Sequence, residues 1–193
     1  MRLFVAITPP PTALAGIDAA VAPLRAARPE LTWSSPQSWH VTLAFLGEVD
    51  EAVVPALAVR LERAAGRHPR LELSAAGAGA FPTVPRARVL WTGIRGNHDT
   101  LRAMSNSVAR GAERAGAPPP GERRRFRPHI TLARSRQPAD LRPLVTALAD
   151  YAGPAWMADR IHLIRSYLGP KPRYESLGDW PLRVPARPVG STE

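Results

Sequence analysis

The chain has 193 residues, 45% of them hydrophobic and none of them cysteine, and carries 26 Lys plus Arg against 16 Asp plus Glu for a net charge of +10. That length holds one domain or two small lobes sharing an interface, and the missing cysteines exclude a disulfide framework, a thiolate nucleophile, an Fe–S cluster and a thiolate zinc site. Lys171 is the sole lysine, so the charge belongs to arginine, whose planar fork suits a polyanionic partner, although enrichment in Ala, Arg, Gly and Pro is equally what GC-rich coding produces.

In chain order, Leu3, Val5 and Ile7 alternate with Arg2, Phe4 and Ala6 before Pro9 to Pro11, which predicts a short strand apolar on both faces. That apolar run is far shorter than a signal-peptide core or a membrane span, so a cytoplasmic protein with no membrane partner is expected. An Ala-rich helix follows over about Thr12 to Ala27. His40 to Gly47 reads as a strand. Asp50 is placed to cap a helix running to about Ala65, with Gly66 suited to end it. Leu71 to Leu73 and Val89 to Trp91 read as strand segments separated by a Gly- and Pro-rich loop.

The second half repeats this plan. His129 to Ala133 is a strand, Asp140 can cap a helix that Gly153 ends, and Ile161 to Leu168 and Tyr174 to Trp180 form a strand pair around Gly169 to Pro172. Val5 precedes His40 by 35 positions and Ile94 precedes His129 by 35; His40 to Trp91 and His129 to Trp180 are both 51. The expected fold is therefore α+β, a bilobal pseudo-two-fold duplication with two antiparallel sheets lining a central cleft and helices packed outside. Residues 1–182 make the single bilobal domain and 183–193 an Arg/Pro-rich tail.

Residues two apart on a strand share a face. His40 and Thr42 therefore share one side, and His129 and Thr131 share the matching side of the other half, while Val41, Leu43, Ile130 and Leu132 pack opposite. Two imidazoles can serve as general base and general acid, and two hydroxyls can hold a tetrahedral anion between them. His98-Asp-Thr100-Leu101 repeats the pattern as a decoy. It follows a capping Asn97 at the start of a helix, where residues two apart diverge by about 200°. His68 and His162 have no such partner and read as ordinary turn and strand residues. No acidic residue stands at ligand spacing beside His40 or His129, no Gly-x-Ser-x-Gly turn is present, and Gly77-Ala-Gly79 does not lead into a phosphate-loop helix, so neither metal nor cofactor is expected.

The opening Met1 to Ile7, the segment Trp39 to Val49 and the segment Phe126 to Arg134, with their two His-x-Thr-Leu stretches, resemble the two-histidine (2H) phosphoesterase superfamily. Within it the similarity is to the RNA 2′,3′-cyclic phosphodiesterases of bacteria and archaea, also described as 2′-5′ RNA ligases. The resemblance runs from Met1 to about Leu182. It implies that RNA ending in a 2′,3′-cyclic phosphate is opened to the 2′-phosphomonoester, with one histidine protonating the leaving 3′ oxygen and the other activating water. The residues alone do not orient the pair; the resemblance implies His40 as proton donor and His129 as acceptor. By the same resemblance Thr42 and Thr131 hold the non-bridging oxygens, Arg134 stabilises charge on phosphate, and the partner is RNA with a cyclic-phosphate end, bound by a monomer. Two other readings keep the site, 2′-5′ RNA joining and hydrolysis of a small cyclic nucleotide or cyclic phosphate. A third makes the chain a non-catalytic RNA-binding module.

Arg134 poses a geometric difficulty. It lies five positions after His129, so regular alternation turns it away from the cleft unless the strand ends or bulges near Ala133. Ala44, two after Thr42, is expected to face the cleft where many relatives carry a basic or polar residue. Arg123 to Arg127 reads either as a basic flap along an RNA backbone or as a solvated loop, with Phe126 anchoring it into the core. The five tryptophans read as core or cleft-rim residues.

Overall fold

The computed structural model describes residues 1–121, 125–169 and 173–184. Of the expectations above, those on Arg123 and Arg124, on Pro170 to Pro172 and on the tail from residue 185 lie outside the described residues.

The elements in order are β1 (Arg2–Ile7), α1 (Pro11–Ala27), β2 (Thr32–Trp33), β3 (Val41–Glu48), α2 (Val54–Ala65), β4 (Leu71–Phe81), β5 (Ala87–Gly96), α3 (His98–Arg114), β6 (His129–Ala139), α4 (Arg142–Ala147), β7 (Trp156–Ala158), β8 (Arg160–Tyr167) and β9 (Arg173–Pro181). The strands form two antiparallel sheets, one ordered β3-β1-β8-β9 and the other β2-β6-β5-β4-β7. Each sheet holds one adjacent pair that includes a motif strand, β1 with β3 in the first and β5 with β6 in the second; β8 and β9 complete the first sheet, and β2, β4 and β7 complete the second. The 35-residue offsets therefore mark equivalent pairs. The 51-residue offsets do not: Trp91 lies on β5 beside the His129 strand, whereas Trp180 lies on β9, separated from β3 by two strands.

The all-apolar character of β1 follows from its central place. Leu3, Val5 and Ile7 enter the main core with Val41, Leu43, Leu57, Leu61, Ile130 and Leu132, while Phe4 and Ala6 form a small cluster with Ile164 and Tyr174 on the opposite face. Removing these side chains from water is the main favourable term holding the sheets together, at about 25 cal/mol per Å² of apolar surface.

Two expectations about elements need correction, and a third, Gly66 at the end of α2, is met. The stretch from Ser74 to Ala80 is strand rather than loop, because the small side chains of β4 leave room for a large neighbour: a Cβ on Gly79 would stand 2.2 Å from the Trp91 indole, which lies flat across it. Gly77, at φ +59, sits where the β4–β5 register shifts. Gly153 does not end the helix after Asp140, which stops at Ala147, although the Asp140 carboxylate accepts from the Arg142 backbone N–H as a cap should. Gly66 closes α2 with right-handed backbone rather than the left-handed turn that favours glycine. At the C-terminal end Leu182 is buried, and the Arg183 backbone donates to the His68 carbonyl and accepts from the Arg70 N–H.

Candidate active site

His40 directly precedes β3, and His129 opens β6. Each ring is fixed in the same way. His40 Nδ1–H donates to the Ser38 carbonyl at 2.7 Å, and His129 Nδ1–H donates to the Arg127 carbonyl at 2.7 Å. A carbonyl oxygen only accepts, so both neutral rings carry their hydrogen on Nδ1 and keep Nε2 as the basic nitrogen. Aromatic side chains hold the ring planes: Phe4 and Tyr174 lie 4.5 and 5.5 Å from His40, and Phe81 and Trp91 lie 5.1 and 6.0 Å from His129.

The two strands then share one irregularity. Opposite β3, Val5 faces Ala44 and Ala6 faces Thr42, so Leu43 is an extra residue; opposite β6, Leu90 faces Ala133 and Trp91 faces Thr131, so Leu132 is extra. In both strands the bulge buries two successive residues, Leu43 with Ala44 and Leu132 with Ala133. The alternation thereby slips by one. Arg134 rejoins the face of His129 and Thr131, which resolves its geometric difficulty. The same slip corrects the expectation for Ala44, which turns into the core, 8% exposed, and leaves Phe45 on the cleft side.

All five sequence-derived residues meet at one cavity of about 160 Å³, lined by Ser34, Ser38, His40, Thr42, His129, Thr131, Arg134 and Tyr174. A second cavity of about 270 Å³ shares His40, Thr42, Arg134 and Tyr174 with it and adds Arg2, Phe4, Phe45 and Ser166. Ser34, Ser38 and Tyr174 were not legible as site residues. Ser34 is brought there by its backbone N–H, which donates to the carbonyl of the bulged Leu132, and Tyr174 arrives on a strand from the far end of the chain.

Burial pushes the His40 imidazole down to about 4; the Ser38 carbonyl opposes this, while the charges of His129 and Arg134 add to it. His129 is lowered for the same first reason, burial, with the Arg127 carbonyl opposing and Arg134 adding to the shift. Both rings are thus neutral at pH 7, and Arg134 acts on both.

The remaining histidines stand apart from this cavity. His98 opens α3 with Nε2–H donating to the Ile94 carbonyl at 2.6 Å, and Asn97 caps that helix by accepting from the Thr100 N–H. His68 is hydrogen-bonded to the Ser107 hydroxyl, and His162 lies within β8. Phe126 packs against the core, as an anchor would, and Arg125 and Arg127 are exposed. Among the described residues no group of three or more His, Asp or Glu side chains is arranged to hold a metal ion, and no helix is long and apolar enough to cross a membrane.

Comparison with known proteins identifies the family. Residues 9–170 match the model of the 2′-5′ RNA ligase superfamily. The chain is 38% identical over 114 residues to an RNA 2′,3′-cyclic phosphodiesterase of Aeropyrum pernix, covering 59% of this chain but only 62% of that protein's length. It is 33% identical over 190 residues to the RNA 2′,3′-cyclic phosphodiesterase of Thermus thermophilus, covering 95% of this chain and 91% of that protein. The crystal structure of the Thermus thermophilus protein TT0787 superposes with a TM-score of 0.75 at 29% identity, over 96% of this chain and all of that one. With two motif strands in matching positions, the shared fold and a family match over most of its length, the chain belongs to the 2′-5′ RNA ligase superfamily.

Proposed function

We propose that this chain hydrolyses RNA 2′,3′-cyclic phosphodiester ends to 2′-phosphomonoesters, without a metal, by general acid–base catalysis between His40 and His129. The observation that carries this reading is the pair of rings with equivalent Nδ1 anchors at one polar cavity, beside two threonine hydroxyls and one guanidinium. The activity for which the Aeropyrum and Thermus relatives are named supports the choice of substrate.

In this mechanism water attacks phosphorus while His129 Nε2 takes its proton. The bond from phosphorus to the 3′ oxygen breaks, and His40 donates a proton from Nε2 to that oxygen, leaving a 3′ hydroxyl and a 2′-phosphate. The Thr42 and Thr131 hydroxyls donate to the non-bridging oxygens, and Arg134 balances the charge that gathers on them. An anionic phosphate between the rings favours their charged forms, so substrate raises the affinity of His40 for the proton it must deliver. The cavity lining contains no carboxylate, which suits an anion better than a divalent cation.

The test is turnover of an oligonucleotide ending in a 2′,3′-cyclic phosphate in excess chelator. We expect full activity and a 2′-phosphate product. Loss of activity on chelation would refute the metal-free route, a 3′-phosphate product would refute the assigned bond cleavage, and tight binding without turnover would make the chain an RNA-binding module.

A further inference from the structure

Outside the cleft, α2 and α3 pack closely. A Cβ on Gly111 would stand in ordinary contact, 3.4 Å from the Arg60 carbonyl oxygen and 3.5 Å from the Arg60 Cβ, so the two helices run side by side at this point. Arg60, Arg63, Ala64 and Arg67 run along α2 and just past its end; Ser107, Arg110, Gly111 and Arg114 run along α3. Both sets have the spacing i, i+3, i+4, i+7, which places each on a single helical stripe. The stripes meet around a cavity of about 120 Å³ lined by these eight residues. Ala64 and Gly111 are buried, and Arg63, Arg67, Arg110 and Arg114 are exposed.

The charge of this groove is one-sided. None of its five arginines joins any of the ion pairs among the described residues, and the acids of these helices, Glu62, Asp99 and Glu113, lie outside its lining. Like charges three or four positions apart on a helix repel, as Arg60 and Arg63, Arg63 and Arg67, and Arg110 and Arg114 do. An entering anion relieves that repulsion. Guanidinium forks match phosphate oxygens in two-pronged geometry, and five of them exceed what one small anion requires while fitting charges repeated along a strand. None of the eight residues lines the cavity of the two histidines.

We propose that the α2–α3 groove is a docking site for the backbone phosphates of an RNA strand, separate from the cleft; this rests on the reading of the chain as an enzyme of RNA ends. The double variant Arg63→Ala/Arg110→Ala tests it on two substrates. Binding of a 20-nucleotide RNA with an ordinary 3′ hydroxyl, followed by anisotropy across a salt series, should weaken about tenfold, with the slope of log K against log salt shallower by about 1.4 for two lost phosphate contacts. Turnover of a dinucleotide ending in a 2′,3′-cyclic phosphate should be unchanged. The Arg63→Lys/Arg110→Lys variant keeps the charges and should keep most of the salt slope. Wild-type affinity and slope in the alanine variant would overturn the proposal, and so would an equal loss on the dinucleotide or displacement of the RNA by polyglutamate at matched charge. Arginine-dependent binding by a protein that turns over no cyclic phosphate would leave the groove standing and refute the functional reading instead.

Discussion

The strands β3 and β6 begin alike and end differently. Each starts with a histidine locked by a carbonyl two residues earlier, continues with a threonine and an apolar neighbour, and bulges so that the sixth residue returns to the cleft. On β6 that residue is Arg134, and on β3 it is Phe45, with the Arg2 guanidinium 4.8 Å from its ring centroid. The two halves thus hold two equivalently anchored imidazoles, and one position breaks the equivalence. The β6 side carries a fixed positive charge, while the β3 side offers an aromatic shelf where the second cavity opens.

The strongest way to probe the equivalent part of this comparison is to remove each ring in turn. His40→Ala and His129→Ala should each lower kcat by about 10³-fold or more, the scale of a lost general acid or base. His98→Ala should leave turnover within twofold, because its Nε2 is committed to the Ile94 carbonyl on a helix. Steady-state assays with circular dichroism as a fold control check all three. An inactive but folded His98 variant would show that the wrong pair has been chosen.

The inequivalent part is probed at the sixth residue. Arg134→Ala should reduce kcat by about 10²-fold, as loss of one preorganised charge donor does, with Arg134→Lys recovering part of the loss. Phe45→Ala should act on KM and leave kcat nearly unchanged, since no charge on the phosphate depends on it. Equal effects on kcat at the two positions would mean that the halves are not specialised as their sixth residues suggest.

How far the sequence revealed this site depends on which interactions are local. Alternation along His40-Val-Thr and His129-Ile-Thr is a property of neighbouring residues, and both polar faces were legible from it. The bulges at Leu43 and Leu132 are not, because an extra residue is defined against the partner strand; simple alternation therefore sends Ala44 to the wrong face and brings Arg134 to the cleft only where the strand bulges. Tyr174 and Ser34 lay beyond reach for the same reason, since each reaches the cavity through contact with a strand distant in sequence. The Gly- and Ala-rich stretch of β4 after Leu73 has weak β propensity and reads as loop, whereas Trp91 covering Gly79 supplies the packing that makes it strand.

Burying the His40 ring also has a cost that depends on pH. His40 is held at about 4 in the folded protein against an ordinary value near 6.5, so between those values the unfolded chain binds more protons than the native one. Stability must therefore fall as pH drops from 6.5 towards 4 and level off below. Integrating that difference gives a loss of about 2 kcal/mol by pH 5 and about 3 kcal/mol by pH 4, attributable to this one ring. Urea unfolding of wild type and His40→Gln over pH 4–7 isolates it, because the other titrating groups are common to both proteins. The variant should have the flatter profile. His129→Gln should flatten it as well, because burial lowers the His129 imidazole too. If the His40→Gln profile instead follows that of wild type, His40 is not held below its ordinary value in the folded protein, and its reading as a ring whose proton affinity the bound anion must raise loses its physical basis.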